Sequence, residues 1–346
     1  MNKQRYAIIG AGALGGLYGA MLARQGFEVH FLLHSDFDHV REHGLKVDSI
    51  WGDMHLRDLH THASPETMPP CDVSLIGLKT TQNHLLADLL PAPTRDGGVV
   101  LVLQNGLDVE ADSAAIVGEQ RVFGGCCFLC SSKVGPGHIR HIDFGKIVFG
   151  QYRPSSQSSA TAAQNNSTAA MGGSKTAGGS KAADGGTTAA EGDAKAVSIG
   201  NQICQDLNSA GVPTEFSGNL ALVRWRKLMW NIPFNSLSVI LNASTKQIMD
   251  DPNASVLAEA IIREVHAGAA ACGVEIPEAF IEKTLENTRK MVPYDSSMRL
   301  DFLNKRAMEA EAILGNPLRA AKESGYEMSR VETLYHQLRY IDQTNS

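Results

Sequence analysis

The stretch RYAIIGAGALGG, residues 5–16, decides which fold is expected for this chain. An apolar run typical of a buried strand leads into three glycines spaced as G-x-G-x-x-G, and a helical pattern follows them. In such a turn the first glycine allows a tight bend, the second lets backbone approach a pyrophosphate, and the third lets the helix pack closely on the strand. We therefore predict a dinucleotide-binding unit. Its cofactor contacts are expected from Gly10, Gly12, Ala13, Leu14 and Gly15.

Apolar segments recur through the first half of the chain, separated by turns and helical patterns. In chain order they are FEVHFLL, CDVSLIGLK, GVVLVLQNG and RVFGGCCFLCSS. Strands that recur with crossovers between them predict a parallel sheet covered by helices on both faces, which is a doubly wound α/β fold of the Rossmann type. The segment HIRHIDFGKIVFGQ, residues 138–151, predicts a further strand or hairpin at the edge of this sheet.

The chain has 346 residues, a length that suits two domains. After Gly218 apolar residues recur at spacings of three and four, which predicts an all-α second domain. We expect residues 1–217 to form the dinucleotide-binding domain and residues 218–346 to form a helical substrate and catalytic domain.

Within the first domain, residues 153–196 contain no Leu, Ile, Val or Phe. This tract is predicted to be a disordered insertion, because it has too little apolar surface to offset its ordering entropy.

Composition and charge exclude several classes of partner. Hydrophobic residues make up 43% of the chain, yet no apolar run approaches the roughly 20 residues that span a bilayer. The amino terminus lacks the apolar region of a secretory signal, so we expect a cytoplasmic protein with no membrane partner. The formal net charge of −6, with both signs interspersed, offers no basic stripe for nucleic acid. The expected partner is a small molecule, and the expected assembly is a monomer or a homodimer.

The end of the second strand bears on the choice of cofactor. An acidic residue there accepts from the ribose 2′-hydroxyl of NAD, whereas a basic residue suits the 2′-phosphate of NADP. The sequence places His34 and Ser35 at this point, and Asp36 follows slightly late. The pattern favours NADP with His34 as a cofactor contact, and it leaves NAD as the alternative.

The six cysteines do not predict a metal site. Cys127 and Cys130 form one C-x-x-C pair, but a tetrahedral zinc site needs a second pair, and the remaining cysteines do not supply one at suitable spacing. We expect reduced thiols packed in a strand, and no metal.

A second informative stretch is RWRKLMWNIPFNSLSV, residues 224–239. Lys227, Asn231 and Asn235 lie within about 40° of one line along a helix, so an amine and two amides share one face. In one interpretation the lysine extends to solvent and the asparagines satisfy backbone freed by Pro233. In the other, the ammonium borders a cleft, where it donates a proton to the growing alkoxide of a ketone under reduction.

Five motifs decide between these interpretations by resemblance. GAGALGG, LKTTQ with Lys79, QNG with Asn105, WRKLMWNIPFNSLS with Lys227, and SSM followed by EAEAILG occur in the order found in the ketopantoate reductases (2-dehydropantoate 2-reductases), which the chain resembles over nearly its whole length. The resemblance implies NADPH-dependent reduction of 2-dehydropantoate to (R)-pantoate, a step toward pantothenate and coenzyme A. It also implies that Lys227 is the catalytic acid.

The same resemblance implies roles for other polar residues. Lys79 and Asn105 contact cofactor and substrate, although a lysine that ends a strand and an Asn-Gly turn also have ordinary structural explanations. The remaining roles belong to Asn231 and Asn235, which bind the substrate hydroxyl and carboxylate, to Ser297, which binds the carboxylate, and to Glu309, which completes the site near the lysine and nicotinamide.

Ser297 and Glu309 are twelve residues apart, which is about 18 Å in one unbroken helix and too far for one small substrate. We therefore expect the chain to turn near residues 304–306, and Glu311 remains a possible substitute for Glu309. Two other functions stay open: a related 2-oxo or 2-hydroxy acid oxidoreductase, and a dinucleotide-binding sensor without turnover.

Overall fold

The computed structural model describes residues 3–154, 186–292 and 295–345. One mixed sheet of ten strands dominates the first of two parts. Its strands are β1 Arg5–Ile9, β2 Glu28–Leu32, β3 Leu45–Ser49, β4 Met54–Leu56, β5 His60–His62, β6 Val73–Ile76, β7 Val99–Val102, β8 Val122–Gly135, β9 His138–Gln151 and β10 Thr214–Phe216. Their order is β4-β3-β9-β8-β7-β6-β1-β2-β5, and β10 also pairs with β9.

The centre of this sheet is parallel, as predicted. Ile9 pairs with Leu32 on one side and Ile76 on the other, and Ile76 pairs in turn with Val102. This register brings the carboxyl ends of β1, β2, β6 and β7 to one edge, where parallel sheets bind ligands. The glycine turn and the segments that carry Lys79 and Asn105 therefore meet at that edge.

The outer half of the sheet departs from the prediction. Strands β8 and β9 form a long antiparallel hairpin, and β9 is internal rather than at the edge, because β3 and β10 both pair with it. The short strands β3, β4 and β5 were not predicted. Their sequences, LKVDS, MHL and HTH, are only three to five residues long, which is too short to show a clear apolar periodicity.

Helices in this part are α1 Ala13–Arg24, α2 Phe37–His43, α3 Leu86–Leu89, α4 Pro91–Thr94, α5 Ala111–Val117 and α6 Gly186–Ser209. The apolar face of α1 packs into a core that includes Ile8, Leu17 and Phe31, all essentially buried.

Helix α6 begins inside the tract that was predicted to be disordered, so that tract was predicted to extend too far along the chain. Residues 186–196 are helical, because they continue without a break into the apolar helical segment that follows them. The predicted disorder of residues 155–185 lies outside the described residues.

The second part is helical, as predicted: α7 Leu220–Ile240, α8 Thr245–Asp250, α9 Pro252–Ala271, α10 Ala279–Lys290, α11 Ser297–Leu303, α12 Asn316–Glu323 and α13 Ser329–Asn345. Helix α7 is central, since it contacts α9, α11 and α13 and also touches β8 of the sheet. Asn219 caps its amino terminus by accepting a hydrogen bond from the Leu222 amide at 2.9 Å. None of the helices in the described ranges is long and apolar enough to cross a bilayer.

Candidate active site

A cavity of about 1160 Å³ lies between the carboxyl edge of the sheet and the helical part. Most of the predicted site residues line it together: Gly12, Ala13, Leu14, Lys79, Asn105, Lys227, Asn231, Ser297 and Glu309. Four predicted residues are not among those that line it: Gly10, Gly15, His34 and Asn235. The cleft is therefore built by segments that are far apart in the chain.

The glycine turn leaves room for a ligand where the fold requires it. Gly10 has a φ of +93°, and a Cβ there would lie 2.7 Å from the Leu78 backbone nitrogen, so only glycine fits. A Cβ at Gly15 would collide with the Gly10 carbonyl oxygen. At Gly12, by contrast, a Cβ would meet nothing within 4 Å. The open space at Gly12 and the amino terminus of α1, whose first turn carries no acidic residue, suit an anionic pyrophosphate.

Lys227 projects into this cavity from α7. Its ammonium donates to the Cys127 carbonyl oxygen at 2.6 Å and lies 4.7 Å from the centroid of the Phe128 ring. No carboxylate of the described residues forms an ion pair with it. Burial lowers the pKa of Lys227 below the ordinary value of 10.5, and the positive charge of Arg224 adds to this effect. A lysine in such surroundings releases a proton more readily than one in water.

Asn231 lies one turn further along the same face of α7. It is 2% exposed, and its Nδ2 is 3.5 Å from Asn105 Oδ1, the outer limit of a hydrogen bond. The two amides therefore approach each other across the cleft. Asn235 is also 2% exposed, but it does not line the cavity. It lies about 12 Å along the helix from Lys227.

A buried ion pair, not predicted from the sequence, fixes Asn105 against α7. Arg224 donates from Nε and Nη2 to Glu110 Oε1 at 3.0 and 2.5 Å, and from Nη1 to the Gln104 carbonyl oxygen at 2.6 Å. Gly106, next to Asn105, has a φ of +117°, and a Cβ there would lie 2.5 Å from the Ala312 carbonyl oxygen. The Asn-Gly turn is thus a close contact between the two parts of the molecule.

Lys79 reaches across the cleft to two carboxylates of the helical part. Its ammonium donates to Asp301 Oδ2 at 2.7 Å and to Glu309 Oε2 at 3.1 Å. Glu309 Oε1 also accepts from the Thr80 amide at 2.9 Å and from the Thr80 hydroxyl at 3.1 Å. Burial acts to lower the pKa of Lys79, but the charges of Glu309 and Asp301 outweigh it and raise that pKa above its ordinary value. Glu309 was expected near Lys227, and the direct partners of its carboxylate are Lys79 and Thr80.

The chain turns between Ser297 and Glu309, as the sequence argument required. Helix α11 ends at Leu303, and Lys305 adopts a φ of +52°, so a lysine occupies the left-handed conformation that usually falls to glycine. Ser297 and Glu309 consequently line one cavity. Glu311 does not line it, because its carboxylate pairs with Arg319 at 2.7 Å and accepts from the Tyr335 hydroxyl at 2.5 Å.

At the end of β2, His34 is exposed and lies outside the cavity lining, whereas Asp36 is 8% exposed. The Asp36 carboxylate accepts from the Lys133 ammonium at 2.7 Å and from the Gly137 amide at 2.9 Å, and both donors belong to the β8–β9 hairpin. Burial acts to raise the pKa of Asp36, but the hydrogen bond from Gly137 and the ion pair with Lys133 outweigh it and lower that pKa.

Several residues that line the cavity were not singled out by sequence reasoning: Phe128, Ser132, Lys133, Arg226, Trp230, Phe280, Thr284, Asp301 and Arg306. Trp230 lies one turn before Phe234 on α7, and it reads as an ordinary core residue in the sequence. Asp301 and Arg306 lie between Ser297 and Glu309, where the chain had to turn. The need for that turn was the one feature of the sequence that pointed to this segment. Within the described residues, no cluster of three His, Cys, Asp or Glu has the geometry of a metal site.

The glycine turn at the edge of a parallel sheet, together with a desolvated lysine across the cleft, defines the class: this is a two-domain, dinucleotide-dependent oxidoreductase. Residues 6–154 match the family model described as ketopantoate reductase PanE/ApbA, and residues 219–342 match the model of its C-terminal part. The chain belongs to the ketopantoate reductase family.

Individual relatives agree with this assignment. A 2-dehydropantoate 2-reductase from Nostoc sp. is 43% identical over 345 residues, covering 100% of this chain and 97% of the relative. The crystal structure of a 2-dehydropantoate 2-reductase from Geobacter metallireducens superposes with a TM-score of 0.82 at 34% identity, covering 97% of this chain and 99% of that one. A ternary structure of D-mandelate dehydrogenase with NADH and anilino(oxo)acetate shares the fold, with a TM-score of 0.78 at 20% identity and 99% coverage of both chains.

Proposed function

We propose that this protein is an NADPH-dependent 2-dehydropantoate 2-reductase, which forms (R)-pantoate on the route to pantothenate and coenzyme A. One observation carries the proposal: Lys227, with its lowered pKa, lines the same cavity as the glycine turn at Gly12. A protein that only binds a dinucleotide needs the turn but has no need of a proton donor opposite it. The geometry therefore favours a reductase over a sensor.

The residues present fit a dinucleotide. The space beside Gly12 and the free amino terminus of α1 suit the pyrophosphate, and Lys79 and Asn105 lie at the ends of neighbouring parallel strands. When bound, the dinucleotide supplies the hydride that reduces the ketone carbon.

Lys227 would supply the proton that completes the reduction. As negative charge grows on the former carbonyl oxygen, the ammonium both stabilises that charge and donates a proton, so that an N–H bond breaks and an O–H bond forms. The neutral amine left behind is tolerated because burial already favours it. The Cys127 carbonyl, at 2.6 Å, accepts a hydrogen bond from the ammonium and so limits the directions in which the side chain can point.

The remaining polar groups would bind and orient the substrate. Asn105, Asn231 and Ser297 line the cavity with Lys227, and their amides and hydroxyl can bind a carboxylate and a hydroxyl. The ion pair between Lys79 and Glu309 links the two walls of the cleft and thereby fixes the spacing between cofactor and substrate sites. Asn235 lies on the same face of α7 but does not line the cavity, and its role in substrate binding stays a prediction.

The test is oxidation of NADPH by the purified protein against a panel of 2-oxo acids, including 2-dehydropantoate. We expect 2-dehydropantoate to have the highest kcat/KM of the panel. A higher kcat/KM for another 2-oxo acid would support the alternative, a related oxidoreductase with a different substrate pocket. Absence of turnover with every acid, together with tight binding of NADPH, would support the sensor.

The variant Lys227→Ala separates chemistry from binding in the same assay. We expect turnover to fall by about 10²- to 10⁴-fold, the usual contribution of general acid catalysis, while NADPH still binds. A matched control is Lys246→Ala on α8, since this lysine is exposed, pairs with Asp250 and lies outside the cavity. Equal turnover in the two variants would contradict the role of Lys227.

A further inference from the structure

The tip of the β8–β9 hairpin folds over the glycine turn and reaches the end of β2. Ser131 donates from its hydroxyl to the Ala13 carbonyl oxygen at 3.2 Å. Two residues later, Lys133 donates to Asp36 at 2.7 Å, and the Gly137 amide donates to the other oxygen of the same carboxylate at 2.9 Å. The hairpin therefore brings a cation to the point of the fold where the adenosine ribose of a dinucleotide is recognised.

The Asp36 carboxylate, which lies at this point of the fold, is already occupied by hydrogen bonds from the protein itself. Asp36 is 8% exposed, and each of its oxygens accepts a hydrogen bond from the hairpin. It is therefore poorly placed to accept from the ribose hydroxyls that would identify NAD. Its evident role is to anchor the hairpin and to orient the Lys133 ammonium.

The basic groups of the β2–α2 segment are less well placed than Lys133. His34 is exposed and does not line the cavity. Arg41 is exposed, pairs with Asp38 at 3.0 Å and lies over the Phe37 ring at 5.0 Å, also outside the cavity lining. Among the lining cations in the described part of the chain, Lys133 is the one whose ion-pair partner belongs to the connection between β2 and α2.

We propose that Lys133 binds the 2′-phosphate of the dinucleotide and thereby sets the preference for NADPH over NADH, an inference that rests on the proposed reductase function. An ammonium has three donors, and Asp36 uses only part of that capacity. The side chain is 37% exposed, so the rest of the ammonium can meet a phosphate oxygen in the cavity. A ribose hydroxyl carries no charge and would gain much less from the same contact.

The proposal is testable with fragments that need no turnover. Adenosine 2′,5′-bisphosphate and 5′-AMP differ only in the 2′-phosphate, and calorimetry gives the dissociation constant of each. The wild-type protein should bind the bisphosphate more tightly. Lys133→Met should weaken binding of the bisphosphate by about 10- to 100-fold, the effect of losing a hydrogen bond to a charged group, and leave 5′-AMP binding nearly unchanged. Lys133→Arg should retain most of the preference.

Retained binding of 5′-AMP also shows that the Lys133→Met protein is folded. A matched control is Arg41→Ala, which removes a cation near the same end of β2 but outside the cavity, and its preference should equal that of the wild type. If Lys133→Met keeps the full preference for the bisphosphate, the inference is wrong and the reductase proposal stands. If the wild-type protein binds both fragments equally, the preference for NADPH itself is wrong. If it binds neither, the dinucleotide function fails.

Discussion

Two lysines face the same cleft, and their surroundings are opposite. Lys79, at the end of β6, is held by the carboxylates of Asp301 and Glu309, and its pKa is raised. Lys227, in the middle of α7, contacts a carbonyl oxygen and an aromatic ring, and its pKa is lowered. The first is therefore a permanent cation suited to holding charged groups in place. The second can exist as an amine as well as an ammonium, which a proton donor requires.

The difference shows that residue type alone does not assign a catalytic role. Both lysines lie within motifs that resemble those of one family, and both line one cavity. Their chemistry is set by which groups the fold brings to the ammonium, and those groups come from distant parts of the chain. Replacing each lysine, or exchanging their environments, should separate the two roles.

The largest expected effect comes from comparing Lys227→Met with Lys79→Met. Loss of the proton donor should lower kcat by about 10²- to 10⁴-fold, whereas loss of the holding cation should act mainly by raising KM for cofactor and substrate. Steady-state kinetics of both variants, with 2-dehydropantoate and NADPH varied in turn, make the measurement. Equal losses of kcat would show that proton donation and positioning are not divided between Lys227 and Lys79 as proposed.

An intermediate effect is expected when the environment of Lys227 is made to resemble that of Lys79. Phe128→Glu places a carboxylate where the aromatic ring lies, 4.7 Å from the ammonium in the wild type. The new ion pair should raise the pKa of Lys227 and slow proton donation, lowering kcat by about tenfold per pKa unit at most. Phe128→Gln is the control, because glutamine has nearly the shape of glutamate but no charge. A loss of equal size in both variants would assign the effect to the missing ring.

The smallest expected effect comes from removing the aromatic ring of Phe128. Because the face of Phe128 attracts a cation, it favours the ammonium, and Phe128→Leu should lower the pKa of Lys227 by about 0.4–0.7 unit, from a cation–π energy of roughly 0.5–1 kcal/mol. In the proposed mechanism reduction needs the ammonium, so kcat/KM should fall as pH rises through this pKa. The alkaline limb of the pH profile should therefore move to lower pH in the variant. A limb that moves to higher pH would show that the Phe128 ring lowers the pKa of Lys227, the opposite of the predicted effect.

How much of the site could be predicted depends on where its determinants lie in the chain. The glycine turn is local: the geometry of Gly10 and the space at Gly12 follow from a spacing visible in twelve residues. The face of α7 that carries Lys227 and Asn231 follows from helical periodicity alone. The need for a turn before Glu309 followed from simple helix length, and the structure confirms it with Lys305.

The rest depends on contacts between segments far apart in the chain. Asp301 meets Lys79 across 222 positions, and nothing local to either residue indicates that partner. Similarly, Lys133 looks like an ordinary residue near a hairpin tip until the hairpin folds over the glycine turn. Asn235 shows the limit of helical periodicity, which assigns it to the same face of α7 as Lys227 but does not indicate how far along the helix the cavity extends.

The most direct test of the contrast is a pH titration of the lysine side chains by NMR, in protein labelled with ¹³C at the lysine ε-carbons. The signals are assigned by their loss in Lys227→Arg and Lys79→Arg. We predict that the Lys227 signal titrates below the ordinary lysine value of 10.5 and that the Lys79 signal does not titrate up to that pH. A Lys227 signal that titrates at or above 10.5 would contradict the account, because the cleft would then hold two fixed cations and no tuned proton donor.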